Sequence, residues 1–126
     1  GLQTPDGLRP SVQRDILFLL TPGFSDPALP GQDFYCWHCA LMEGVLASFP
    51  HLGASLDVRR IAFSRPRADV IAQIGEANQS LPVLILADDA PAGLPAASHA
   101  GRRFVSDPMA ILDVLHRRHG FPPPHP

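Results

Sequence analysis

Proline placement constrains this chain more than any other feature. The 126 residues include 15 prolines. A proline is expelled from helix interiors and central strand ladders, because it lacks the N–H and clashes with the preceding turn. Regular structure is therefore sought in windows that proline spares: residues 31–49, 51–65, 67–81, 83–90 and 109–121.

Hydrophobic patterning fills those windows. Residues 14–21 carry a continuous apolar run, as expected of a strand buried on both faces. Residues 21–35 read as a long Pro- and Gly-rich loop of the kind that often carries function. Residues 36–49 read as a helix. Leu41 and Val45 lie four apart, Met42, Leu46 and Phe49 form a second apolar row, and such a helix is expected to be central and buried. Residues 56–63 alternate as a second strand. Pro66 suits the first position of a helix with Val70, Ile71 and Ile74 on one face. Residues 83–87 read as a buried strand and 103–105 as a short one. Ser106 and Asp107 can cap a last helix that Gly120 ends. The expected domain spans 14–120, between a flexible lead-in at 1–13 and a Pro-rich tail at 121–126.

Composition excludes several function classes. Apolar residues make up 45% and charged residues 17%, a globular balance in a length that suits one domain. The net charge is −2 and every one of the ten basic side chains is Arg. These lie mostly in separated pairs, so neither a nucleic-acid stripe nor a polybasic membrane anchor is expected. The apolar runs at 16–20 and 83–87 are too short to span a bilayer. No secretory signal is visible and Gly1 reads as a processing scar, so the expected location is cytoplasmic.

The chemistry lies in the run Phe34-Tyr35-Cys36-Trp37-His38-Cys39, which holds both cysteines of the chain. A C-x-x-C at the start of the helix after the first strand of a βαβ unit is a redox motif. The N–H groups and dipole of a helix N-terminus favour a thiolate. Cys36, at the mouth, is therefore the expected nucleophile. Cys39, one turn in, is the expected resolving thiol. His38 between them would tune the potential, and Trp37 would shield the mouth and give a partner a flat apolar contact.

This motif, with Ser80-Leu81-Pro82-Val83 opening a later strand, resembles the thioredoxin superfamily from about Arg14 to Gly120. The resemblance implies an α/β sandwich of order β-α-β-α-β-β-α around a central mixed sheet. It implies a cis Leu81–Pro82 bond opposite the cysteines, with Leu81 offering its backbone to substrate. The dipeptide Trp37-His38 differs from the Gly-Pro of thioredoxins and the Pro-Tyr of glutaredoxins. A His before the second Cys is similar to the oxidising periplasmic disulfide-forming enzymes, whose helical insertion is absent here. The segment 104–115 looks like the end of a glutathione-transferase N-domain. There Asp107 matches an acidic residue, while Pro108 replaces a Ser and loses its hydroxyl, which leaves glutathione a weaker candidate partner. Pro22-Gly23-Phe24, Pro30-Gly31, the run from Phe34 to Leu41 and His119-Gly120-Phe121-Pro122 resemble an uncharacterised bacterial family of thioredoxin-like fold.

The resulting expectation is a thiol–disulfide oxidoreductase without cofactor or metal, whose partner is a protein or small-molecule thiol or disulfide. Two alternatives stay open. One is a non-catalytic binding module on the same fold, with the 21–35 loop covering the cysteines. The other is a metal carrier, although two cysteines need further ligands and His116 and His119 lie far along the chain. No chemical role is expected for the remaining histidines. Arg65 and Arg67, near a helix start, are a lesser candidate for holding an anion.

Overall fold

A computed structural model describes residues 10–126. Its centre is β1 (Ile16–Leu20), whose five residues are all buried. Because side chains alternate along a strand, Leu17 and Leu19 enter one apolar cluster and Ile16 and Phe18 another. β1 pairs in parallel with β4 (Asp57–Ile61) and antiparallel with β5 (Val83–Ile85). β7 (Arg102–Val105) pairs antiparallel with β5 and with β6 (Ala97–His99), which gives a mixed five-stranded sheet of order β4-β1-β5-β7-β6. The chain is thus an α/β protein with a mixed sheet.

Helices cover both faces. α1 (Trp37–Ser48) and α4 (Pro108–His119) supply Met42, Ile111, Leu112 and Leu115 to the Leu17 side. α3 (Ala68–Ile74) supplies Val70 and Ile74 to the Phe18 side. A one-turn α2 (Pro50–Gly53) follows α1, so Pro50 ends one helix and begins another. Asp107 caps α4, its carboxylate accepting the Ala110 N–H at 2.9 Å. Gly120 ends α4 in the left-handed conformation at φ 74°. No helix among the described residues is long and apolar enough to cross a membrane.

Several local expectations are corrected. The 21–35 segment is not simply a loop: β2 (Phe24–Ser25) and β3 (Asp33–Phe34) pair antiparallel. Phe24 stacks on Phe63 at 4.5 Å, which fastens this hairpin to the domain. Pro66 does not open α3. The Arg65–Pro66 peptide is cis, and the helix starts after Arg67, whose N–H donates to Gln79 Oε1 at 2.8 Å. α1 is not enclosed, since only Cys39 and Met42 of its residues are buried. The ends also pack more than expected. Residues 1–9 of the lead-in lie outside the described residues, but Val12 is buried and exchanges hydrogen bonds with Asp88. Phe121 is buried, edge-on to Phe49.

One buried carboxylate ties the sheet to α4. Asp15, 1% exposed just before β1, accepts from Arg118 Nε at 2.7 Å and from the Ala87 N–H at 2.7 Å, and bonds His119 Nε2 at 2.7 Å. Burial by itself would raise its pKa. The hydrogen bonds of His119, Arg118 and Ala87 outweigh burial and hold the carboxyl at about 2, below its ordinary 3.8. A shift of that size corresponds to on the order of 2 kcal/mol of stability. Because the folded pKa is the lower one, this contribution is complete above about pH 4 and is lost as the pH falls toward 2. Urea unfolding from pH 6 to pH 2 is expected to show Asp15→Asn less stable by about 2 kcal/mol at pH 6, with the gap to wild type closing in acid. A gap that stays constant with pH contradicts this role for Asp15.

Candidate functional site

Cys36 is the N-cap of α1, with extended backbone at φ −79° and ψ 113°. Its sulfur accepts the Cys39 N–H at 3.2 Å, as a Ser or Asp oxygen does at other helix starts. The first turn carries no acidic residue, so no carboxylate competes with that sulfur for the positive end of the helix. The expected helix mouth is therefore present, with Cys36 half-buried at its rim.

Cys39 lies inside, 2% exposed. Its sulfur accepts the N–H of Leu20, at the end of β1, at 3.5 Å. Burial pushes its thiol up to about 12, and the Cys36 sulfur beside it acts in the same direction. Both cysteines are free thiols. The motif thus holds one thiol at the surface and one in the core.

A cleft of about 510 Å³ opens on the pair. Leu20, Pro22, Phe34, Tyr35 and Ala40 give it an apolar wall. The hairpin β2–β3 borders the cleft, where the binding-module alternative has this segment covering the cysteines. Gly23, Asp33 and Glu43 complete the lining. Arg60 grips Glu43 with two hydrogen bonds, at 2.8 and 2.7 Å, and these hold the carboxyl below its usual range.

The other residues singled out from the sequence do not line this cleft. Trp37 is 67% exposed and its ring lies 3.6 Å from that of His38. It offers a flat surface beside the mouth rather than a lid over it. The Leu81–Pro82 bond is cis. Pro82 is buried at the head of β5, and Leu81 packs against the same apolar cluster as Cys36. Asp107 is committed to its helix cap. His116 and His119 bond the Phe121 carbonyl and Asp15. Among the described residues, no group of three or more His, Cys, Asp or Glu side chains is placed to hold a metal ion.

Two residues of the cleft, Glu43 and Asp33, escaped the sequence reading, and Arg67, read there only as a lesser candidate for holding an anion, takes another place. Glu43 sits one turn beyond Cys39 on α1, a spacing that pointed to it. Asp33 reaches the cleft through the hairpin, which no pattern revealed. Arg67 is buried, with its guanidinium on the carbonyls of Phe63 at 2.7 Å and Gln79 at 2.7 Å and 5.5 Å from the Phe63 ring centre. Burial and the nearby Arg65 lower its pKa, while Cys39 and Cys36 act the other way, which sets this cation within electrostatic reach of both sulfurs. Arg65 itself is exposed.

The family model DUF3088, described as a protein of unknown function, matches residues 14–123. The chain belongs to that family. No curated protein and no solved structure matches it.

The unequal burial of the two thiols has a direct chemical consequence. With limiting iodoacetamide at neutral pH, peptide mapping is expected to find Cys36 alkylated more than about tenfold faster than Cys39. Equal rates contradict the asymmetry.

Proposed function

We propose that this DUF3088 member is a thiol–disulfide oxidoreductase of thioredoxin-like fold, with Cys36 as nucleophile and Cys39 as resolving thiol. The observation that carries the reading is the Cys36 sulfur capping a helix at an open cleft, one turn from a buried partner thiol. The fold part is supported by β1-α1-β4 as a parallel unit followed by α3, the antiparallel pair β5–β7, and α4.

The reaction begins when the Cys36 thiolate attacks one sulfur of a substrate disulfide. A Cys36–substrate disulfide forms, and the other substrate sulfur leaves as a thiolate that takes a proton from water. Cys39 then loses its proton to solvent and attacks the Cys36 sulfur. The intramolecular disulfide closes, the second substrate thiol leaves, and two electrons have passed from the dithiol to the substrate. An external thiol reductant restores the dithiol, and the reverse sequence oxidises a substrate dithiol.

The geometry suits the order of these steps. The Cys36 sulfur helps to keep the proton on Cys39. Once Cys36 is bonded to substrate that influence is removed, and the resolving thiol becomes easier to ionise. The Arg67 cation lies within electrostatic reach of the pair. In this reading His38 tunes the potential, Trp37 gives the partner an apolar contact, and Leu81 offers it main-chain groups. Cysteine usage confined to one C-x-x-C suits a reducing compartment, and the reading places the protein in the cytoplasm.

Insulin reduction driven by dithiothreitol is expected to be accelerated by the wild-type protein and slowed more than about 100-fold in Cys36→Ser. Cys39→Ser is expected to accumulate a mixed disulfide at Cys36. No turnover and no mixed disulfide with any disulfide partner would reject the reading.

A further inference from the structure

The charge of the cleft suggests which disulfides it accepts. Apart from the two cysteines and Tyr35, its only ionisable lining groups among the described residues are Asp33 and Glu43; no Arg or His of the described residues lines it. Glu43 is fixed and partly compensated by Arg60. Asp33 is exposed, and among the described residues its side chain has neither a hydrogen-bond nor an ion-pair partner. The remaining lining is apolar. A carboxylate entering the cleft would be desolvated against apolar walls and repelled by like charge. A hydrocarbon or ammonium flank meets neither penalty.

Two nearby groups bear on the opposite expectation, that of an anionic ligand. Arg67 is a cation near the sulfurs, but it does not line the cleft and its guanidinium is engaged by the Phe63 and Gln79 carbonyls. Asp107, the residue that matches a glutathione-binding position, spends its carboxylate on the Ala110 N–H and lies away from the cleft lining. Among the described residues, no basic side chain therefore waits in the cleft for the two carboxylates of a glutathionyl group.

Resting on the oxidoreductase reading, we infer that this cleft selects disulfides with uncharged or cationic flanks and discriminates against anionic ones, glutathione disulfide included. Asp33 is the selecting residue, with Glu43 contributing less because Arg60 offsets it. The steps are those given above. The flank of the disulfide lies in the cleft while Cys36 attacks the nearer sulfur, and the farther sulfur leaves as the thiolate.

The test uses the Cys39→Ser protein, so that the product of the first step persists, and follows mixed-disulfide formation by quenched mass spectrometry. Three probes are compared: cystamine (cationic), 2-hydroxyethyl disulfide (neutral) and oxidised glutathione (anionic). Each rate is divided by that of free 2-mercaptoethanol with the same probe, which removes the intrinsic reactivity of the disulfide. The expected order is cystamine, then the neutral probe, then glutathione disulfide. The first and last are expected to differ by at least about tenfold at low salt, and the gap should narrow at high salt. Asp33→Asn is expected to shrink that ratio by about threefold or more. If the three normalised rates are equal, if glutathione disulfide is fastest, or if Asp33→Asn leaves the ratio unmoved, charge selection is overturned while the oxidoreductase reading stands. If Cys36 is alkylated by iodoacetamide yet reacts with none of the probes, both fall.

Discussion

Burial of β1 on both faces is the constraint from which the rest of the structure follows. A strand with no solvent face needs helices above and below it and a paired strand on each side. α1 and α4 cover the Leu17 face, α3 covers the Phe18 face, and β4 and β5 flank the strand. Its two ends do different work. Asp15 enters as a buried carboxylate satisfied by Arg118, His119 and the Ala87 N–H. Leu20 leaves by presenting its N–H to the Cys39 sulfur. The core that holds the fold together is thus the same core that receives the inner thiol.

From this follows the division of labour between the cysteines. Two residues of helix separate the capping position from a core position, so a C-x-x-C beginning at the cap puts one sulfur at the rim and one in the interior. The outer sulfur gains the helix N–H and access to a cleft. The inner one gains shielding, which keeps it protonated and away from outside reactants. Arg67 adds a positive charge that no carboxylate neutralises among the described residues, held by main-chain carbonyls and the face of Phe63. A buried cation of this kind is costly unless hydrogen-bonded, and the Phe63 and Gln79 carbonyls supply those bonds.

Much of this was legible in the sequence because the relevant signals are local. The apolar run of β1, the Asp107 cap, the Gly120 stop and the position of Cys36 at a helix start each depend on a few adjacent residues. What escaped depends on contacts between distant segments. The strands β2 and β3 have two residues each, too few for any periodicity, and are fastened by Phe24 stacking on Phe63. The start of α3 is decided by the Gln79 side chain, which takes the Arg67 N–H from 12 residues away along the chain. The apolar composition of α1 suggested enclosure, yet Trp37 and Leu41 are exposed, because the sheet covers only the Cys39 and Met42 side. The same limit applies to the site. The cysteines and Glu43 share a helix and could be read together, whereas Asp33 and Arg67 reach the motif only through the tertiary fold.

The central claim is that an outer and an inner thiol work as one two-electron couple. Equilibrating the protein with graded mixtures of reduced and oxidised dithiothreitol, then trapping free thiols and counting them by mass, tests it most directly. The account predicts a single reversible transition from two free thiols to one Cys36–Cys39 disulfide, with two-electron dependence on the buffer potential. Persistence of two free thiols under fully oxidising conditions, or oxidation that only links separate molecules through Cys36, would contradict it.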